Sequence, residues 1–237
     1  MIYLRSLSFY IIYLLSGLLA GLAGCLIGPF LNINNRIKFL SAWPRFANWA
    51  LYKSCKIEVV IKGSENIPNG PFVIASNHQG QWETFFYQYF FFPMTTLLKR
   101  ELLFIPVWGW ALALLRPIAI NRGNPTVALK TALREGEKRI KKGFSVLNFP
   151  EGTRKDPGEI GRYARSGFEL AKKMQVPVLP IVHNSGDCWP AHRFLKFPGK
   201  INLTIGAPVE NIESSAEAAK KMEEWARQKL ELIKLNN

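Results

Sequence analysis

The sequence predicts an α/β fold, a single domain with a mixed, largely buried sheet flanked by helices, preceded by an N-terminal membrane-embedded helical segment. Two observations predict it. Phe9 to Leu31 is an unbroken apolar run, and from about Ile57 onward short β-branched runs alternate with stretches of helical apolar spacing. The expected division is residues 1–56 for a membrane helix and an interfacial amphipathic helix, and residues 57–237 for a catalytic domain.

The first element is FYIIYLLSGLLAGLAGCLIGPFL, flanked by Arg5 and Arg36 with no charge between them. At about 1.5 Å rise per residue it is long enough to cross ~30 Å of hydrocarbon. A cleaved secretory signal fits less well, because the apolar region is too long and Arg5 is the single side-chain charge before it. Leu22-Ala23-Gly24-Cys25 resembles a lipoprotein cleavage site, but the apolar run continues past Cys25 as LIGPFL. Gly17, Gly21, Gly24 and Gly28 recur at three- or four-residue spacing, which lets a second helix approach closely.

Gly28-Pro29 is expected to break or kink this helix. The stretch from Arg36 to Lys56 mixes Trp43, Phe46, Trp49 and Tyr52 with Arg36, Lys38, Arg45 and Lys53, the composition of a headgroup interface. Two arrangements follow: one spanning helix, or a helical hairpin that dips into one leaflet and returns. If the helix spans, the basic excess after it places the catalytic domain in the cytoplasm.

The strands expected in the domain are 57–61, 72–76, 95–98, 118–120, 145–149, 176–182 and 201–206. Helical spacing runs through Thr126 to Lys142, Ser166 to Met174 and Ser214 to Leu235, and Gly143 stops the first of these. Strands alternating with helices indicate an α/β architecture with a buried sheet.

Lysine and arginine number 31 against 17 acidic residues, so the net charge of +14 implies an anionic partner. With 48% hydrophobic and 13% aromatic residues, an anionic bilayer is favoured and nucleic acid is not expected. Cys25, Cys55 and Cys188 contain no CxxC pair, which argues against a disulfide framework or a cysteine zinc site.

The chemistry concentrates in four blocks. Asn77-His78-Gln79-Gly80-Gln81-Trp82-Glu83-Thr84 follows the strand FVIAS and precedes a helix through Phe85 to Phe91. Histidine suits proton transfer near neutral pH, and a carboxylate on one ring nitrogen fixes its tautomer. On one helix, residues five apart point about 140° away from each other, so His78 and Glu83 meet only if His78 precedes the helix. Gly80 permits that bend.

The remaining blocks are Lys99-Arg100-Glu101-Leu102 with Pro106, Gly109 and Ile120-Asn121-Arg122, then Phe149-Pro150-Glu151-Gly152-Thr153-Arg154, then Val176 to Ile181. In this order they resemble the motifs of the glycerolipid acyltransferase family, whose signature pairs N-H-x4-D/E with FPEGTR. The resemblance covers residues 72–182, and Glu83 departs from the aspartate commoner there.

The resemblance implies His78 and Glu83 as the catalytic pair and transfer of a fatty acyl group from acyl-CoA or acyl carrier protein (acyl-ACP), both donor substrates, with no cofactor and no metal. The expected acceptor is the sn-2 hydroxyl of 1-acyl-glycerol-3-phosphate, giving phosphatidic acid, with another lysophospholipid or glycerol 3-phosphate as the alternative. Arg122 and Arg154 suit phosphate oxygens through their forked donors and Lys99 adds a point charge. With Lys99, Arg122 and Arg154, Glu151, Gly152 and Thr153 are the substrate-binding residues the resemblance implies; Glu151 either meets a glycerol hydroxyl or orients Arg154, and the simplest role for Thr153 is to shape the loop. The expected location is the bacterial inner membrane with the catalytic domain facing the cytoplasm.

A thioester hydrolase, in which His78 activates water, and a basic membrane adaptor without catalysis are the competing classes. No Gly-x-Ser-x-Gly elbow supports a serine hydrolase. His183, Cys188 and His192, with Asp187 nearby, match no zinc-ligand spacing.

Overall fold

The computed structural model describes residues 1–121, 123 and 125–235. The chain opens with α1 (Ile2–Ile27), which runs into a 3-10 turn at Gly28–Phe30, where Pro29 ends the α-helical ladder. Two helices follow rather than one continuous amphipathic helix, α2 (Ile33–Leu40) and α3 (Ala42–Cys55). Asn32 caps α2 by accepting the Asn35 N–H at 2.9 Å. Arg36 donates to the carbonyls of Gly28 and Leu31 at 2.8 and 2.9 Å and so satisfies the end of the first helix.

The domain then proceeds through β1 (Ile57–Lys62), β2 (Val73–Ser76), α4 (Trp82–Phe90), β3 (Met94–Lys99), α5 (Trp108–Leu114) and β4 (Ile118–Ile120). It continues with α6 (Pro125–Ile140), β5 (Ser145–Asn148), α7 (Ser166–Met174), β6 (Val178–His183), α8 (Ser185–Cys188), β7 (Gly199–Ile205) and α9 (Ser215–Leu235). Every strand read from the sequence forms, as do the three long helices. The short α5 was not marked by the pattern: it follows a γ-turn in which Trp108 N–H meets the Pro106 carbonyl at 2.7 Å and Val107 has φ 64°.

The seven strands make one mixed sheet in the order β1-β7-β6-β2-β5-β3-β4. Five neighbours, β6 through β4, run parallel, whereas β7 is antiparallel to β6 and parallel to β1. The carboxyl ends of β2, β3, β4, β5 and β6 therefore share one edge, the usual place for an α/β site.

Strand alternation divides the core in two. Phe72, Ile74, Leu147, Leu179, Ile181, Ile201 and Leu203 face α1, α3 and α4, together with Phe9, Tyr13, Leu51, Trp82 and Phe86. Val73, Ala75, Val146, Val178 and Val182 face α6, α7 and α9, together with Phe168, Leu170, Met222 and Leu230.

The first helix is not free of this core. Its buried residues, Ser6, Phe9, Tyr13, Gly17, Gly21 and Gly24, recur every three or four positions and lie against the domain along the whole helix. Ser6 Oγ accepts the Lys196 N–H at 2.9 Å, and the Phe9 ring packs edge-on to Trp189. A Cβ on Gly17 would lie 2.5 Å from the Trp108 ring, and one on Gly21 would lie 2.8 Å from Val107. Gly17 and Gly21 thus accommodate the start of α5, whereas Gly24 faces Leu40 of α2 and Gly28 faces Leu114 at the end of α5. The helix also pairs with α3, through Trp43 Nε1–H donating to Ser16 Oγ at 3.1 Å. Its opposite face, including Leu4, Ile11, Leu15, Leu19 and Leu26, is exposed.

Candidate active site

His78 lies in the loop between β2 and α4, ahead of the helix, and Glu83 sits in the first turn of α4. Their side chains meet, with His78 Nδ1 2.8 Å from Glu83 Oε1. The glutamate reaches back over the loop as well, since the same oxygen accepts the N–H groups of Gln79 and Gly80 at 2.8 and 2.7 Å. Gly80 is needed for close approach: a Cβ there would lie 2.6 Å from the Trp189 carbonyl oxygen.

Glu83 is fully buried, and His78 keeps 14% of its side chain exposed. Burial alone would raise the Glu83 carboxyl, but the adjacent His183 and His78 rings and the Gly80 N–H outweigh it and hold the group below the ordinary carboxylate range. An ionised acceptor at Nδ1 makes His78 an Nδ1–H tautomer and leaves Nε2 as a base. Nε2 makes no hydrogen bond among the described residues.

The loop after β5 packs against His78. The Phe149 ring stacks on His78 with centroids 4.0 Å apart and planes 14° from parallel. Gly152 adopts φ 69°, a left-handed conformation that favours glycine, and its N–H closes the turn on the Phe149 carbonyl at 3.0 Å. Both Glu151 oxygens are used by the protein's own backbone: Oε2 accepts the His78 N–H and Oε1 the Gly161 N–H, each at 2.7 Å. Burial pushes the Glu151 carboxyl up, partly offset by those two N–H groups. Lys155 N–H adds a bond to the His78 carbonyl at 2.8 Å.

Arg154, half-buried in the same loop, has no hydrogen bond or ion pair among the described residues, so its guanidinium donors are open to an anion. Thr153 is exposed beside it. Lys99 is exposed at the carboxyl end of β3, on the shared edge but two strands from β2, a lateral offset of about 10 Å. Arg122 lies outside the described residues.

Sequence reasoning missed the floor of this site. His183, at the end of β6, is fully buried; its Nε2 meets the Asn77 carbonyl at 3.1 Å and its Nδ1 accepts the Ser185 N–H at 3.2 Å. Burial lowers its pKa, and both of its nitrogens are occupied beneath Glu83. Asn77 side-chain atoms bond the His183 backbone in both directions, at 2.9 and 3.0 Å. The one signal pointing to this floor is the position of Asn184-Ser185 directly after a strand expected to be buried.

A base with its orienting carboxylate, at the carboxyl edge of an α/β sheet and without a nucleophile elbow, is the equipment of a group-transfer enzyme that activates a hydroxyl directly. Residues 58–184 match the family model described as Acyltransferase. The chain belongs to the acyltransferase family and is an acyltransferase. It is 43% identical over 227 residues to the 1-acyl-sn-glycerol-3-phosphate acyltransferase of Pseudomonas aeruginosa, covering 94% of this chain and 88% of that one. The Saccharomyces cerevisiae protein of the same name is 31% identical over 130 residues, 53% of this chain and 43% of that one. The crystal structure of the 1-acyl-sn-glycerophosphate (LPA) acyltransferase PlsC from Thermotoga maritima superposes with a TM-score of 0.81 at 28% identity, covering 98% of this chain and 95% of that one.

Proposed function

We propose that this enzyme transfers a fatty acyl group from an acyl-CoA or acyl-ACP thioester to the sn-2 hydroxyl of 1-acyl-glycerol-3-phosphate, forming phosphatidic acid. The observation that carries the reading is the His78–Glu83 pair with its unoccupied Nε2, with the open Arg154 on the loop that packs against His78. His78 Nε2 takes the proton from the acceptor hydroxyl as that oxygen attacks the thioester carbonyl. Glu83 stabilises the imidazolium without taking the proton. The tetrahedral oxyanion collapses, the C–S bond breaks, and His78 returns the proton to the departing thiolate. The thioester already carries the activation, so no cofactor or metal is required.

Arg154 is the preferred phosphate residue, because it lies on the loop that folds against His78 and the sn-3 phosphate is only a C–C–O link away from the sn-2 hydroxyl. Lys99, about two strands away, suits a more distant anionic group. Glu151 serves by stapling the His78 backbone to the loop.

We place the protein on the cytoplasmic face of a bacterial inner membrane, held in one leaflet by the hairpin of α1 and α3 rather than by a crossing helix. Docking of α1 along the domain and against the start of α5 supports this, as do the exposed apolar side chains of Phe104, Ile105 and Trp110 before and within α5.

Purified enzyme assayed with both donor types against 1-acyl-glycerol-3-phosphate, glycerol 3-phosphate and a choline lysophospholipid tests the reading. Phosphatidic acid is the expected product, and His78→Ala is expected to lose about 100- to 10,000-fold in rate while remaining membrane-bound. Normal turnover in that variant sinks the mechanism, and faster acylation of another acceptor reassigns the substrate.

A further inference from the structure

Glu83 directs only one carboxylate oxygen toward His78. The other, Oε2, accepts the Ser185 hydroxyl at 2.9 Å, a contact between residues 102 positions apart that are both fully buried. Three donors crowd Oε1, namely His78 Nδ1, Gln79 N–H and Gly80 N–H, whereas Ser185 Oγ is the one protein donor on Oε2 among the described residues. The last torsion of a glutamate side chain is broad, so donors on a single oxygen leave the plane of the carboxylate free to turn.

We propose that Ser185 is a positioning residue for acyl transfer: its hydroxyl fixes the plane of the Glu83 carboxylate and so holds His78 in the Nδ1–H tautomer. The proposal rests on His78 being the base.

Ser185 is itself held from several sides. Its N–H donates to His183 Nδ1 at 3.2 Å, and its carbonyl accepts the Trp189 N–H at 2.7 Å. The next residue, Gly186, donates its N–H to Gln79 Oε1 at 3.1 Å. The end of β6 and the segment after it therefore grip the loop after β2 and the start of α4 at three points: the side chain of Asn77, the side chain of Gln79 and the carboxylate of Glu83.

The arrangement also fits the length of the glutamate. Shortening it to aspartate withdraws the carboxylate by about one C–C bond, ~1.5 Å, which opens the 2.9 Å contact with Ser185 beyond hydrogen-bond range unless α4 moves. Ser185 is not a nucleophile in this scheme. Its proton is donated to Glu83 and stays on the serine throughout, while the transferred proton moves between the acceptor hydroxyl, His78 Nε2 and the thiolate.

The test compares the wild type, Ser185→Ala, Glu83→Asp and the double variant, with His78→Ala as a reference and with folding checked by circular dichroism. Ser185→Ala is expected to lower kcat about tenfold with KM for both substrates nearly unchanged. In protein carrying nitrogen-15 histidine, the His78 ring signals should shift from the Nδ1–H toward the Nε2–H tautomer. In the Glu83→Asp background, removing the hydroxyl should cost less than about twofold more. A wild-type kcat in Ser185→Ala, an unchanged tautomer, or an equal loss in both backgrounds each overturns the proposal. If Ser185→Ala does not fold, Ser185→Cys, which fills the site with a weaker donor, is measured by the same criteria. A dead His78→Ala beside a normal Ser185→Ala refutes only the positioning role, whereas an active His78→Ala refutes the base itself.

Discussion

The two faces of the sheet are built from the same strands and covered by opposite kinds of helix. On one side α1, α3 and α4 pack aromatic residues against the strands, with Phe9, Tyr13, Trp43, Phe85, Trp108 and Trp189 in mutual ring contact. Their outer surface carries exposed Leu15, Leu19, Phe46 and Trp49, with exposed Arg45 and Lys53 on α3. On the other side α6, α7 and α9 cover an aliphatic core, and their outer surface carries every ion pair of the described residues except His78–Glu83, within those helices or at Lys141 just beyond α6. Both interiors are buried, so the difference lies in the surroundings each outer surface meets. The candidate site lies at the carboxyl edge between them.

The largest effect that sharpens this comparison is a matched pair of truncations. Phe9→Ala on α1 and Phe168→Ala on α7 remove rings that are 0% and 1% exposed. Each should cost about 3–5 kcal/mol in denaturant unfolding in detergent. A Phe9→Ala protein as stable as the wild type would mean that α1 is detached from the core and would break the comparison.

Next is the partition to membranes. Phe104 and Trp110 are 66% and 55% exposed, so replacing them with Asp and Glu should leave the melting temperature nearly unchanged while weakening binding to anionic vesicles about tenfold. Unchanged vesicle flotation would remove this segment from the lipid surface.

A pH series separates the faces more finely. His183 has a lowered pKa in the fold, so it contributes stability that is full above the ordinary histidine value of about 6.5 and is lost as pH falls through that value. His183→Gln, with its neutral amide, should flatten the fall in melting temperature between about pH 7 and pH 5. A slope equal to that of the wild type would assign the acid sensitivity elsewhere.

The smallest effect belongs to the charged face. Lys234→Gln breaks the exposed pair with Glu231 and should change stability by no more than about 0.5 kcal/mol. A larger loss would show that this face depends on its ion pairs after all.

The sequence alone determined the elements and the identity of the chemistry. Short β-branched runs and helical apolar spacing are local, so the strands and the long helices were legible in the sequence. His78 and Glu83 were legible too, through the resemblance of NHQGQWET and FPEGTR to the acyltransferase motifs, whereas their spacing said only that they meet if His78 precedes the helix. Tertiary structure alone decided the rest. The sequence could say that Gly17 and Gly21 admit a close neighbour, but not that the neighbours are Trp108 and Val107. It named Glu151 as a site residue, yet the fold commits both of its oxygens to the His78 and Gly161 backbones, 73 and 10 positions away. It gave no sign of Ser185 at Glu83, across 102 positions. Such contacts depend on which strands become neighbours in the sheet, and that choice is made by burial over the whole chain rather than by any local period.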